Sequence, residues 1–447
     1  MNDKNRPLNV LMIIVDALRP DRLHCYGNQW QTSPAIDRLA EEGVLFEQLI
    51  AQSSHTLPSV GSIFTGLDPL SHGLIDPRTH ANHSWGSWKS PFRILEDSGF
   101  ALGGFNAFMY YHFGREFNIE NIEEGLSFIE THRDEPFFLW QFVEQVHLPY
   151  NPKPPLDVAF LPKDHVISKG TAERVEIVKS TMIIHPPGLI SQFEQEQLDG
   201  SGGGFEADVD RDIDYTRSAA SVNFEKEDRT AIAALYDGEV RTVDDQIGRY
   251  TRKLEELGIL DDTIVIVTSD HGEELLERGN VGHSSCSLSG TLYEEVIRVP
   301  FVVRCPRCLP CGKKVEPQVS QIDIMPTIFD MLGMQIPDET EGRTFLPLVS
   351  GHETDARAEE TFLLTLPCGW QTLKDDSRQV WCVRTPKWKL IYNEFEPDES
   401  NYYELYDLEN DSGEKENVLE QNPKIADKLK EKLCAWMKKE QHHKLKS

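Results

Sequence analysis

The stretch "LNVLMIIVDALRPD", residues 8–21, contains a continuous apolar run that ends at Asp16. A strand with apolar side chains on both faces is typical of a parallel sheet that is covered by helices on either side. Ligands of open α/β sheets bind at the carboxyl ends of the strands, which is where Asp16 stands. The stretch therefore predicts a buried strand that delivers a carboxylate to a functional edge.

Strands and helices alternate after this stretch. A helix is predicted from Pro34 with a stop at Gly43, and a short strand follows it. Helical spacing of apolar residues predicts a long helix that ends at Gly258 and a short one with Pro326 near its start. Further strands are predicted within four apolar stretches: "FALGGFNAF" (100–108), "EPFFLWQFVEQVHLPY" (135–150), "DDTIVIVTSDHGEE" (261–274) and "RVPFVVR" (298–304).

This order predicts an α/β fold with two domains. Residues 1–350 would form a mixed, mainly parallel sheet between helices, with a loop-rich insertion at residues 156–229 that covers the substrate side. The alternating pattern of residues 380–393 and 402–411 predicts an antiparallel hairpin. Residues 351–447 would therefore form a smaller C-terminal antiparallel-sheet domain, closed by a charged helix.

The composition limits the classes of partner. Lys and Arg total 45 against 74 Asp and Glu, a formal net charge of −29, which disfavours binding to nucleic acid or to an anionic membrane surface. An anionic substrate would need a locally positive site, most simply a metal. No apolar run approaches the roughly 20 residues of a membrane span, and the first residues lack the apolar core of a secretory signal. We therefore expect a cytoplasmic protein whose 8 cysteines are reduced thiols; its oligomeric state is not predicted.

Four polar residues are predicted to meet at one edge of the sheet. Asp16, Asp270 and His271 each follow a buried strand, and Thr56 opens a helix in "SSHTLPSVGSIFTG" (53–66). Two carboxylates, an imidazole and a hydroxyl suit Ca²⁺, Mg²⁺, Mn²⁺ or Zn²⁺. Taken one at a time, Asp16 and Asp270 could equally cap helices, and the Thr56 hydroxyl could cap its own helix.

Six segments, in this order, resemble the sulfatase family within the alkaline phosphatase superfamily. They cover most of the chain apart from the insertion. The segments are "NVLMIIVDALRPDRLHCYG" (9–27), "TSPAIDRLAEEGVLFEQLIAQSSHTLPSVGSIFTG" (32–66), "DDTIVIVTSDHGEE" (261–274), "GTLYEEVIRVPFVV" (290–303), "QIDIMPTIFDMLG" (321–333) and "WKLIYN" with "YELYDLENDSGEKENV" (388–393 and 403–418).

The resemblance implies a metal-dependent hydrolase of sulfate or phosphate esters. Asp16, Asp270 and His271 fall on metal-ligand positions, and Thr56 falls on the nucleophile position. His147, in the family's His-x-Pro-Tyr pattern, would contact the ester and protonate its leaving oxygen. The implied substrate is a small-molecule or glycan anionic ester, and the implied cofactor is one divalent ion of unspecified identity.

The departures from the sulfatase pattern are as informative as the matches. Thr56 replaces the Cys or Ser that is oxidised to formylglycine, so attack would come from a threonine alkoxide. Ala17 replaces a second aspartate, which leaves the ligands Asp16, Thr56, Asp270 and His271, a set like that of phosphonate monoester hydrolases. Val60 and His283 replace an arginine and a lysine; His283 is the third residue that we expect to act on the ester.

Three readings of the function stay open at this level. The chain could be a hydrolase of sulfate, phosphate or phosphonate esters, a phosphoryl-group transferase, or a non-catalytic binding protein with a sulfatase fold. Two further features are ambiguous. Cys305, Cys308 and Cys311 have a C-x2-C-x2-C spacing that could hold zinc if a fourth ligand came from elsewhere. The stretch "THANHSWGSWKS" (79–90) contains His80, His83, Trp85 and Trp88, which could line the pocket but are more typical of an ordinary solvated loop.

Overall fold

The computed structural model describes residues 7–75, 90–105, 119–189, 219–351, 360–369, 378–394 and 402–444. The loop residues named last, His80 to Trp88, lie outside these ranges. The strands are β1 (Asn9–Val15), β2 (Val44–Ile50), β3 (Ala101–Gly104), β4 (Phe137–Val143), β5 (Ile183–His185), β6 (Ala219–Ser221), β7 (Thr263–Ser269), β8 (Glu274–Leu275), β9 (Val281–Gly282), β10 (Arg298–Arg304), β11 (Lys313–Val315), β12 (Val319–Ser320), β13 (Thr361–Thr365), β14 (Val380–Arg384), β15 (Trp388–Asn393) and β16 (Tyr403–Asp407).

The helices are mostly short, with two long exceptions. They are α1 (Pro34–Glu41), α2 (Thr56–Thr65), α3 (Pro69–His72), α4 (Pro91–Asp97), α5 (Ile122–Thr131), α6 (Lys169–Val178), α7 (Asp228–Glu256), α8 (Ser284–Ser287), α9 (Glu294–Ile297), α10 (Ile324–Met331), α11 (Leu346–Val349) and α12 (Pro423–Lys444). Among the described residues, no helix combines the length and the hydropathy that a membrane crossing requires.

The main sheet has the strand order β11-β2-β10-β7-β1-β4-β3, and β12 also pairs with β2. Strand β10 runs antiparallel to both of its neighbours, whereas the other pairs are parallel. The predicted mixed, mainly parallel sheet is therefore confirmed. Strand β1 lies between β7 and β4 and is buried along its whole length, as its continuous apolar sequence requires.

Alternate residues of β1 enter two different apolar cores. Leu11 and Ile13 pack in a core that includes the apolar face of α7, while Met12 and Ile14 pack in a core that includes α2 and α10. Because successive side chains of a strand point to opposite faces, this division places helices on both sides of the sheet. The predicted helix-covered architecture is confirmed.

The C-terminal sheet is separate and antiparallel, with the order β13-β14-β15-β16. One of its faces packs against α12, where Leu429, Leu433 and Trp436 are buried. Residues of the other face, such as Cys382 and Ile391, pack against Ile50 of the main sheet. The predicted antiparallel sheet is confirmed, and the domain boundary at residue 350 stays a prediction.

The predicted insertion at residues 156–229 has some regular structure in its described part. Helix α6 is followed by β5, which pairs in parallel with β6, and α7 begins at Asp228. The buried Asp228 carboxylate binds the Arg174 guanidinium of α6 through contacts of 2.6 and 2.9 Å. The insertion is thus attached to the long helix of the main domain; its role as a substrate cover stays a prediction.

Candidate active site

The first aspartate is held at the carboxyl end of β1 by its neighbours in the sheet. Val15 pairs with Ser269 of β7, so the residues that follow them, Asp16 and Asp270, stand side by side. The Asp16 backbone N–H donates to the Val143 carbonyl of β4 at 2.9 Å. Parallel register therefore brings together two carboxylates that are far apart in sequence.

Ala17, the residue after Asp16, has an unusual backbone conformation. Its φ is 60°, in the left-handed region that a side chain with a Cβ rarely occupies. Two hydrogen bonds hold it there: its N–H donates to Asp270 Oδ1 at 3.2 Å, and its carbonyl accepts from the Tyr236 hydroxyl at 2.7 Å. Such strain persists where surrounding contacts impose it, typically at functional sites.

Two buried carboxylate oxygens at this edge have no hydrogen-bond partner, namely Asp16 Oδ1 and Asp270 Oδ2. Both approach His271 Nε2, at 3.6 Å and 3.4 Å respectively. Asp270 Oδ1, in contrast, accepts from the backbone N–H groups of Ala17 and His271. One oxygen of Asp270 is thus used to fix the side chain, and the other is directed into the site.

The ring of His271 is oriented as a metal ligand would be. Its Nδ1 donates to the Gly272 carbonyl at 2.9 Å, which directs Nε2 towards the two aspartates. A backbone carbonyl that accepts from the remote ring nitrogen is the usual support of a metal-binding histidine.

Thr56 points its hydroxyl at the same position. It is the first residue of α2, and its Oγ1 lies 3.2 Å from His271 Nε2. The N-cap residue of α2 is His55, and no side chain caps the helix there. The hydroxyl approaches His271, and the structure does not show the capping role that the sequence left open for Thr56.

The residues that are present fit a divalent cation. Ligand atoms of Asp16, Asp270 and His271 all lie within 4.8 Å of one another. Burial raises the pKa of Asp16 well above its ordinary value, and the neighbouring carboxylates of Asp270, Glu144 and Glu273 raise it further. Unpartnered, mutually repelling carboxylate oxygens in the interior are costly unless a cation binds them.

Two further histidines stand beside this cluster. The ring of His283 lies 4.1 Å from that of His271 and 4.8 Å from that of His147, measured between ring centres. His283 Nδ1 lies 2.8 Å from Glu273 Oε1, and His147 Nδ1 lies 2.6 Å from the Leu148 carbonyl. The structure therefore places all six predicted site residues at one edge of the sheet.

The protonation of His147 differs from what we expected of a residue that protonates the leaving oxygen. Burial lowers its pKa to about 4, so the imidazole is neutral near pH 7. Since Nδ1 donates its proton to the Leu148 carbonyl, Nε2 is an acceptor; it lies 3.5 Å from the Cys286 thiol. His147 must first gain a proton before it can protonate a leaving oxygen.

Sequence reasoning missed three residues of this region. Glu273 orients His283, Cys286 contacts His147, and Gln321 donates to the carbonyls of Ser269 and Asp270 at 2.9 and 2.6 Å. Glu273 could have been found, because it stands two residues after His271 in "DHGEE". Cys286 and Gln321 carry no comparable local signal.

The three cysteines with C-x2-C-x2-C spacing do not converge on one point. Cys305 is buried, whereas Cys308 and Cys311 are exposed. The thiols of Cys305 and Cys308 interact, but the described part of the chain contains no set of three ligand atoms within 4.8 Å that includes these cysteines. Their spacing therefore gives no support for a zinc knuckle.

The sheet order and this edge define a class of protein: an α/β protein with an alkaline-phosphatase-like fold and a metal-type site at the carboxyl ends of its central strands. Comparison with protein families makes the assignment. The family model described as sulfatase matches residues 8–334, and a model described as N-sulphoglucosamine sulphohydrolase, C-terminal, matches residues 289–441. The chain belongs to the sulfatase family.

Individual proteins agree with the family. An arylsulfatase from Clostridium perfringens is 27% identical over 387 residues, which are 76% of this chain and 78% of that protein. A protein solved with its substrate, D-glucosamine-2-N,6-O-disulfate, superposes with a TM-score of 0.73 at 20% identity and covers 98% of this chain and 99% of its own. The phosphonate monoester hydrolase of Agrobacterium radiobacter gives 0.71 at 21% identity, covering 97% and 96%. At these identities the two structures establish the fold alone.

Proposed function

We propose that this chain hydrolyses an anionic ester, a sulfate or a phosphate or phosphonate, with the Thr56 hydroxyl as the nucleophile. The observation that supports this most directly is the approach of Thr56 Oγ1 to His271 Nε2 at 3.2 Å, where two unpartnered aspartate oxygens also converge. The names of similar proteins include an arylsulfatase and a phosphonate monoester hydrolase. We infer that the substrate of this chain is likewise a sulfate, phosphate or phosphonate ester, and that the ester group is carried by a small molecule or a glycan.

One divalent cation would be held by Asp16, Thr56, Asp270 and His271, four residues whose donor atoms suit Ca²⁺, Mg²⁺, Mn²⁺ or Zn²⁺. When bound, such a cation supplies positive charge that favours ionisation of a nearby hydroxyl and offsets the charge of the ester. The set has one carboxylate fewer than it would have if Ala17 were an aspartate.

The protein residues would perform the other steps. Thr56 Oγ1 attacks the sulfur or phosphorus atom and displaces the leaving oxygen, while the free N–H groups at the start of α2 face the anionic oxygens. His147 takes up the Thr56 hydroxyl proton at Nε2 and gives it to the leaving oxygen, and water then hydrolyses the bond between Thr56 and the transferred group. His283, held by Glu273 at 2.8 Å, contacts the ester beside it.

A panel of substrates tests the proposal. We would assay an aryl sulfate, a phosphate monoester, a phosphodiester and a phosphonate monoester side by side, with the protein loaded in turn with Mg²⁺, Mn²⁺, Zn²⁺ and Ca²⁺. We expect turnover of at least one substrate that a chelator abolishes. Retained metal without turnover of any substrate would instead favour the non-catalytic binder, and transfer of phosphate to an added alcohol in place of water would favour the transferase.

We also propose that the protein acts in a reducing compartment such as the cytoplasm. The support is that all of its 8 cysteines are free thiols.

A further inference from the structure

We propose that His147, His283 and Cys286 form a second cation site, which takes Zn²⁺ or a similar ion and adjoins the aspartate site. The existence of this second site does not depend on the proposed function, but the role that we give to its cation does. The ligand atoms of the three residues all lie within 4.8 Å of one another. Cys286 Sγ lies 3.5 Å from His147 Nε2.

Both histidines are anchored through Nδ1. Nδ1 of His147 lies 2.6 Å from the Leu148 carbonyl, and Nδ1 of His283 lies 2.8 Å from Glu273 Oε1. When each Nδ1 donates its proton, each Nε2 keeps a lone pair. A carbonyl and a carboxylate are the two kinds of acceptor that orient zinc-binding histidines in this manner.

The donor atoms differ in kind from those of the aspartate site. Two imidazole nitrogens and one thiolate select zinc-like ions, whereas carboxylates and a hydroxyl also accept Mg²⁺ and Mn²⁺. A set of three protein ligands leaves one tetrahedral position open, which is the arrangement of catalytic zinc. The site would therefore have room for an oxygen of the ester.

The charges of the region give this cation a role. Asp16, Asp270 and Glu273 bring carboxylates to the site, and Val60 and His283 supply no permanent positive charge where the sequence resemblance leads one to expect it. A second divalent ion would offset the remaining negative charge before an anionic ester binds. His147 Nε2 cannot bind a cation and protonate a leaving oxygen at once. When the second cation is bound, it would stabilise the negative charge on the leaving oxygen in place of the proton from His147.

The test uses Co²⁺ as the probe on the full chain saturated with Mg²⁺. A cobalt ion bound to a thiolate has a ligand-to-metal absorption band in the near ultraviolet, which carboxylate and imidazole ligands do not produce. We expect one equivalent of Co²⁺ to generate this band and Zn²⁺ to abolish it by displacement. Cys286→Ser should remove the band and weaken Zn²⁺ binding at this site on the order of 100-fold, since even an indirect partner of a ligand contributes 10- to 100-fold.

Two variants act as controls. Cys382→Ser changes an equally buried thiol in the C-terminal sheet, and it should keep the band. His147→Gln leaves the thiol in place and should weaken Zn²⁺ binding as Cys286→Ser does, which keeps the test valid if one variant fails to fold.

Failure of this inference is distinguishable from failure of the proposed function. Absence of the band in the parent, or its survival in Cys286→Ser, overturns the second site even if the ester is hydrolysed. Asp270→Asn should disable the aspartate site and leave the thiolate band intact. A band together with no ester hydrolysis would retain the second site and reject the proposed function.

Discussion

Two buried clusters of charged residues in this protein are built in opposite ways. At the edge of the main sheet, Asp16 and Asp270 each leave one oxygen without a partner. Between the main domain and the C-terminal sheet, Arg384 and Lys389 are paired with Glu294 and Glu414 instead. Both clusters carry buried carboxylates, but among the described residues only the second cluster contains an arginine and a lysine paired with them.

The paired cluster shows how buried charges are balanced within the chain itself. Arg384 makes a two-pronged contact with Glu294, with both nitrogen–oxygen distances at 2.8 Å. Lys389 Nζ lies 2.6 Å from Glu414 Oε1 and 3.2 Å from Glu294 Oε1. The arginine and lysine hold the pKa of Glu294 well below its ordinary value despite its burial.

The difference in pairing indicates different roles for the two clusters. Removal of one partner from a buried, hydrogen-bonded ion pair is costly, because the other charge is left uncompensated. Buried carboxylates without a partner destabilise the folded chain until a cation binds. The unpaired cluster is therefore the one that we expect to require a ligand.

The largest expected effect is at Thr56, the hydroxyl of the unpaired cluster. Thr56→Ala should lower turnover on the order of 10³-fold or more, as loss of a nucleophile does elsewhere. Its melting temperature should stay close to that of the parent, because the hydroxyl does not cap α2. Thr56→Ser should retain much of the rate. Steady-state kinetics and thermal unfolding on the same preparations check this.

Thr65→Ala is the matched control for that experiment. Thr65 is buried at the other end of α2, and its hydroxyl donates to the Gly61 carbonyl at 2.7 Å. This variant should keep its rate per folded molecule. An active Thr56→Ala protein would reject the nucleophile, while Asp16, Asp270 and His271 would still offer three ligands to a cation.

The next effect concerns the paired cluster. Lys389→Met leaves Glu294 and Glu414 without this ammonium group and should lower the free energy of unfolding by about 3–5 kcal/mol. Lys387→Met, two residues away, removes a half-exposed ion pair with Glu409 and should have a much smaller effect, because solvent screens that pair. Urea unfolding of both variants measures the difference. Equal losses would show that the cluster is not a structural ion-pair network.

Removal of metal should act through the unpaired cluster. A chelator should lower the free energy of unfolding of the Mn²⁺-loaded protein by about 3–4 kcal/mol if the ion was present at 100 to 1,000 times its Kd. In the chelated protein, Asp270→Asn should raise stability, because an amide replaces an unpartnered carboxylate oxygen. The same variant should no longer respond to Mn²⁺.

Glu414→Gln is the opposing control for Asp270→Asn, since it makes the same chemical change in the paired cluster. It should lower stability whether or not metal is present, because Lys389 loses its 2.6 Å partner. Thermal shift measurements with and without Mn²⁺ follow both variants. If both changed stability in the same direction, the distinction between the two clusters would fail.

The last effect is expected at Glu239, a buried carboxylate in α7 that accepts from the Asn151 N–H at 2.8 Å. Burial raises its pKa from 4.5 to about 7. The folded state therefore holds this proton to higher pH than the unfolded state, so stability should fall as the pH rises from about 4.5 to 7. Glu239→Gln should remove most of this pH dependence, because an amide does not titrate in this range. An unchanged profile would contradict the raised pKa.

The sequence alone determined the elements of the fold because they depend on local patterns. The apolar run of β1 and the helical spacing of α7 are readable without knowledge of their neighbours. Polar residues at the ends of β1 and β7 also predicted that Asp16, Asp270 and His271 would meet, since the carboxyl ends of parallel strands share one edge. The location of the site and the identity of these three residues could therefore be predicted from the sequence.

Only the tertiary structure decided how those residues are used. No local pattern shows that one oxygen of Asp270 is held by backbone N–H groups while the other is unpartnered, or that the Thr56 hydroxyl approaches His271. Cys286 reaches His147 across 139 residues of sequence, and Lys389 meets Glu294 across 95. Contacts between remote segments depend on the register and packing of the whole fold. The types of residue at the site can therefore be predicted from the sequence. Their hydrogen-bond partners, their protonation and the unpartnered carboxylate oxygens are determined only when distant segments pack together.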